Sequence, residues 1–163
     1  MNPGRRALAA AGLLALPLLP LLARGAPSAD EADAALAQDS DYAAGRAALK
    51  ASDNLTALRR FEAALLRFPE AADLHNELGF ANRRLQRYDR AFAHYQRALA
   101  LDPRHRGAHE YIGETYLLVG DLAGAERHLA ALRSICLLPC EELDDLQRAV
   151  VTHRAARATR RAP

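Results

Sequence analysis

The sequence predicts an all-α stack of three helix–turn–helix units closed by a further helix. Gly45, Gly79 and Gly113 are evenly spaced, and Ala57, Ala91 and Ala125 recur at the same interval. The bulky residues Phe61, Tyr95 and Leu129 share that register, and Pro69 and Pro103 close the first two units. A fixed period of about 34 residues, with small residues at two phases and a large one at a third, marks stacked supersecondary units. None of these could bury its apolar face alone, so neighbours must stack.

In chain order, Arg5 and Arg6 precede an apolar run over residues 7–23, followed by small residues. This reads as a signal peptide over residues 1–28, with cleavage near residue 25 or 28. A run of about 17 residues is at the lower limit for a membrane span, so a retained N-terminal anchor is the alternative. Residues 29–37, rich in alanine and acids, are expected to be a linker. The three units follow at 38–71, 72–105 and 106–139. In the second, Leu74, Leu78 and Ala81, then Ala91, Tyr95 and Ala98, fall at helical spacing. Asp102-Pro103 stops its second helix, because the residue before proline is disfavoured in the α region. Residues 140–153, with Leu143 and Leu146, read as a capping helix, and 154–163 as a basic disordered tail.

The formal net charge of +2 includes Arg5, Arg6 and Arg24 at the start and Arg154, Arg157, Arg160 and Arg161 at the end. The repeats and cap between them are therefore acidic, with a net charge of −5. That balance excludes a general basic surface for nucleic acid.

Leu78-Gly79, Ala91, Tyr95, Ala98 and Asp102-Pro103, with Ile112-Gly113, Tyr116, Gly120-Asp121 and Ala125, resemble the tetratricopeptide repeat (TPR) family over roughly residues 38–136. The resemblance implies a right-handed superhelix whose first helices line a concave groove that holds a protein or peptide segment. Carried onto this chain, the groove-facing phases are Tyr42, Arg46 and Lys50 in the first unit, and Asn76, Phe80, Arg83 and Arg84 in the second. The third supplies Glu110, Glu114 and Leu117. Phe80 would be an exposed central aromatic, where an anchor contributes most. Some family members clamp a C-terminal carboxylate with Lys and Asn. Tyr42, Glu77, Gly107 and Tyr111 stand at four of those phases, so that chaperone-tail activity is not expected.

No phosphate-binding glycine loop, nucleophile elbow or haem-attachment motif occurs. No catalytic residue, cofactor or metal is expected, and the six histidines read as solvated or partly packed imidazoles. Cys136 and Cys140 flank Pro139, and an even, local pair in an oxidising compartment reads as a disulfide. On a helix their Cα atoms would lie about 6 Å apart, inside bridging range. A redox-active pair and a Cu(I) site stay open as alternatives. These features lead to one functional expectation: a non-enzymatic, exported scaffold in the periplasm, engaged in assembling an envelope complex. The alternatives are a metal- or thiol-handling factor acting through Cys136 and Cys140, and a protein anchored in the inner membrane and facing the periplasm.

Overall fold

The computed structural model describes residues 29–161, and every regular element in them is a helix. In order these are α1 (Ala29–Leu36), α2 (Ser40–Lys50), α3 (Asn54–Leu65), α4 (Ala72–Arg84), α5 (Tyr88–Leu101), α6 (Arg106–Leu118), α7 (Leu122–Ile135) and α8 (Glu141–Arg161). Helices α2 and α3, α4 and α5, and α6 and α7 form antiparallel pairs, each packed on the next. The result is a tetratricopeptide-type stack with α8 laid against α6 and α7 as its cap.

The pairing rests on a missing methyl group. A Cβ at Gly45 would sit 2.4 Å from the Phe61 ring, and one at Gly79 would sit 2.5 Å from the Tyr95 ring. Both rings are completely buried. In the third unit the space over Gly113 is filled by Leu146 of α8, 2.6 Å from the position of a Cβ. The cap therefore enters the slot that an aromatic fills in the first two units. Leu129, Leu132, Leu146 and Val150 share one apolar cluster at this end, and Leu36, Phe61, Leu74 and Leu78 share another at the opposite end.

Each turn inside a pair passes through the left-handed region at the same phase: Ser52 (φ 59°), Gln86 (φ 59°) and Gly120 (φ 84°). Only the third unit places glycine there. Side chains cap several helix starts, with Asp39 accepting from the Asp41 and Tyr42 amides, Asp53 from Thr56 and Asp121 from Gly124. These contacts satisfy amides that have no partner within the helix.

Two expectations about the ends differ from the structure. Residues 29–36, read as linker, are helical, because their alanines favour helix and Leu36 is buried in the first core cluster against α4. The tail is also helical, since α8 continues to Arg161 well past residue 153. Its Ala and Arg residues are good helix formers, and Arg154 bonds Glu126 of α7 at 2.6 Å. The signal peptide expected over residues 1–28 lies outside the described residues. Between α7 and α8, Cys136 and Cys140 are joined by a disulfide with Cα atoms 6.1 Å apart.

The glycine contact and the turn predict opposite responses to single substitutions. Gly79→Ala must displace a fully buried ring and is expected to lower stability by about 1–3 kcal/mol. Gln86→Gly removes a Cβ penalty in the left-handed region and is expected to raise stability by up to ~1 kcal/mol. Urea unfolding of both variants checks the pair, and equal effects of the same sign would contradict this account of the fold.

Candidate partner-binding groove

The first helices of the three units, α2, α4 and α6, place a mixed aromatic and charged cluster at the middle of the stack. The Phe80 and Tyr111 rings are 5.0 Å apart and tilted by 52°. The Arg83 guanidinium lies 5.1 Å from the Phe80 ring centre and 5.3 Å from that of Tyr111. It also donates to the Glu114 carboxylate. With its side chain only 14% exposed, Arg83 makes cation–π contacts that are poorly screened by water. Beside this cluster is a cavity of about 250 Å³ lined by Arg46, Leu49, Lys50, Glu77, Phe80 and Tyr111. Arg46 approaches Glu77 at 3.7 Å across its floor.

Burial disturbs the titration of this region. It raises the Glu77 carboxyl above the ordinary range and pushes Tyr111 up to about 12. It lifts Glu110 to about 8, reinforced by the facing carboxylates of Glu114, Asp145 and Glu142.

The structure brings Arg46, Lys50, Phe80, Arg83 and Glu114 to this region but sorts the other expected groove residues differently. Tyr42 belongs to the core: it is buried, its ring is 5.9 Å from Phe61, and Arg46 covers it. Asn76 is buried too, with Oδ1 lacking a partner. Leu117 packs on the cluster beneath α7 and α8, while Glu110 is almost wholly buried. Arg84 is exposed and lies nearer Gln86, Tyr88 and Leu118 than the Phe80 cavity. Conversely, Glu77 and Tyr111 line the cavity, although the sequence marks them only as departures from a carboxylate clamp. Their separation by one full repeat was the available signal, since each occupies the same phase of a first helix.

Of the two expected states, solvated or partly packed, four histidines take the second, in two ordered pairs. His75 Nε2–H donates to the Pro69 carbonyl at 3.0 Å, and His109 Nε2–H donates to Pro103 at 3.1 Å. A carbonyl can only accept, so Nδ1 of each ring carries the lone pair. That lone pair accepts Nδ1–H from His94 at 3.2 Å and from His128 at 2.9 Å, respectively. The two bonds are the same device repeated one unit further on, joining the helices of the second and third units. In the first unit the same phase holds Asp41 and Arg60, paired at 3.0 Å. Burial, then the neighbouring histidine, lowers His94 and His128 to about 4, which keeps both pairs neutral at neutral pH.

The metal- or thiol-handling alternative finds no support. Among the described residues no three His, Cys, Asp or Glu side chains converge on a possible metal position.

Two tetratricopeptide repeat profiles match the sequence, over residues 42–105 and 82–135. Among curated proteins none matches. The chain is similar in structure to the TPR2B domain of yeast Sti1 in its pHsp70 complex, with a TM-score of 0.66 and 19% identity, covering 71% of this chain and 94% of that one. It is also similar to the second TPR domain of human RPAP3 in complex with the HSP70 peptide SGPTIEEVD (TM-score 0.60, 17% identity, 68% and 92% coverage). A third similar structure is the Sgt2 TPR domain from Aspergillus fumigatus (TM-score 0.62, 16% identity, 84% of each chain). These findings correct the expected periplasmic location and its inner-membrane alternative. The similar domains come from eukaryotic proteins, two of them in Hsp70 complexes, and not from envelope proteins. Among the described residues no helix is long and apolar enough to cross a membrane, and the apolar run over residues 7–23 lies outside them.

Two pH dependences of opposite sign follow. Glu110 holds its proton to about pH 8 when folded but loses it near the ordinary value of 4.5 when unfolded. Its contribution to stability therefore falls as pH rises between those values, and Glu110→Gln should gain in melting temperature over the parent across that window. His94 and His128 resist protonation to about 4 when folded, against 6.5 when unfolded. Their contribution falls as pH drops through that window, and the double variant His94→Ala, His128→Ala should flatten the acid limb of the melting curve. Thermal melts at half-unit pH steps check both, and parallel curves for parent and variants would refute them.

Proposed function

This chain belongs to the tetratricopeptide repeat family, and on that premise we propose that it is a non-catalytic scaffold holding a segment of a partner protein along the face of α2, α4 and α6. The observation that carries this reading is the Phe80–Arg83–Tyr111 cluster beside an open cavity at the centre of that face. At about 250 Å³ the cavity is smaller than the range of roughly 300–1,000 Å³ usual for small-molecule sites. It suits one side chain of an extended segment. Aromatic and arginine anchors at the centre of an interface supply most of its binding energy.

The Sti1 and RPAP3 domains, which share this fold, are seen with Hsp70 segments. That precedent supports use of the concave face and does not transfer the ligand. Tyr42, Glu77, Gly107 and Tyr111 occupy four phases where a carboxylate clamp would need Lys or Asn, and Tyr42 is buried. The scaffold reading is therefore proposed for a protein segment other than an acidic chaperone tail.

The test is capture of a partner from a native extract on the immobilised chain, followed by affinity measurement with the purified partner. Phe80→Ala is expected to weaken binding about tenfold or more. Because Phe80 is only half-buried, its melting temperature should stay close to the parent's. Unchanged affinity with intact stability would place binding on another face. A large fall in melting temperature would make Phe80 a packing residue.

A further inference from the structure

The edge of the stack at the turn between α4 and α5 carries three exposed cations that the chain itself leaves unanswered. Among the described residues, the side chains of Arg84, Arg87 and Arg90 make no hydrogen bond or ion pair. Asp89 is the single carboxylate lining this edge, and it pairs with none of them. Arg83, the fourth cation, is already engaged with Glu114 and two rings. The edge is therefore positive on a body of repeats and cap whose net charge is −5. Arg87 stands at the phase where the first and third units carry Asp53 and Asp121, so this reversal of sign belongs to the second unit alone.

Apolar groups interleave with these arginines. Leu118 and Val119, at the end of α6, are 58% and 47% exposed. Arg84 and Leu118 line a cavity of about 310 Å³, and Arg87, Arg90 and Val119 line a neighbouring one of about 430 Å³. Gln86 and the half-buried Tyr88 belong to both, so the surface is continuous. Neither cavity shares a residue with the Phe80 cavity. Adjacent exposed apolar side chains rimmed by polar ones mark a contact surface, and arginine is enriched in such contacts.

We propose that this edge is a second docking surface, separate from the groove, and that its occupant is an acidic segment of a partner protein in which carboxylates flank leucine-sized side chains. The carboxylates pair with Arg84, Arg87 and Arg90, each of which can hold one bidentately. The apolar side chains cover Leu118, Val119 and Tyr88, and removing those from water supplies the part of the binding that salt does not screen. A nucleic acid or an anionic membrane would spread beyond the three arginines onto the acidic remainder of the repeats and cap, which repels it. A short segment touches the positive edge alone.

Fluorescein-labelled GDLEELEG and two counterparts, GKLKKLKG and GDSEESEG, all amidated at the C-terminus, serve as probes for anisotropy titrations. They are titrated with the full chain, the double variant Arg87→Glu, Arg90→Glu, and the single variants Leu118→Ser and Phe80→Ala. GDLEELEG is expected to bind about tenfold tighter than either counterpart. The double variant should lose about tenfold in affinity for it, and Leu118→Ser should bring it down towards GDSEESEG. Phe80→Ala should leave it unchanged. Both arginines are exposed, and glutamate at the start of α5 suits the helix dipole, so the double variant should keep the parent's melting temperature. Equal binding of GDLEELEG by the double variant and the parent overturns the proposal, and so does a titration that never saturates. If Phe80→Ala weakens the peptide and the double variant does not, the groove reading stands and the proposal alone falls. If the double variant weakens GDLEELEG while a captured partner is indifferent to Phe80→Ala, the proposal stands and the groove reading falls. Phosphatidylserine vesicles or oligothymidylate binding tighter than GDLEELEG, with that binding lost in the double variant, would assign the edge to a polyanion and overturn the proposal.

Discussion

The close approach of paired helices at Gly45 and Gly79, repeated against the cap at Gly113, is the contact on which the stack depends. Each slot is filled by a completely buried side chain whose atoms occupy the volume of a Cβ: Phe61, Tyr95 and Leu146. The helix spacing that results lets Ala57, Ala91 and Ala125 disappear entirely from solvent. A repeat array gains stability only through such nearest-neighbour contacts, so a fault at one slot reaches both flanking units.

The concave face inherits its properties from that geometry. Stacking α4 on α6 brings Phe80 to Tyr111 and lets Arg83 lie over both rings while reaching Glu114. These side chains are therefore partly structural and partly available, and the same desolvation that strengthens Arg83 raises Glu77 and Tyr111 out of their ordinary titration ranges. Glu110 is the residue that burial and the neighbouring carboxylates keep protonated to about pH 8.

The fold was legible in the sequence because its main constraint is steric and periodic. A slot that accepts only glycine recurs visibly once per unit, opposite a ring in the first two. The groove was less legible, because a phase gives direction from the helix axis and not depth. Tyr42, Asn76 and Glu110 point the right way for a groove, yet the neighbouring helix covers all three. The histidine pairs were hidden for another reason. His105 and His109 are the histidines closest in sequence, whereas the bonded pairs join His75 to His94 and His109 to His128 across a helical turn-back. The one-repeat spacing between the two pairs was present but falls on residues that the repeat signature does not name. At the ends, composition could not show that Leu36 is buried or that Arg154 reaches Glu126.

The clips at that shared phase also give the chain a polarity. The first unit is closed by Asp41 and Arg60, with Arg67 binding Asp39 and Asp41 nearby, and those arginines hold Asp41 below the ordinary carboxylate range. The second and third units are closed by neutral histidines. Ion pairs of this kind outlast mild acid, whereas an imidazole pair sharing one proton cannot accept two more and stay closed. Acidification therefore loosens the helix pairs of the second and third units while the clip of the first is still closed.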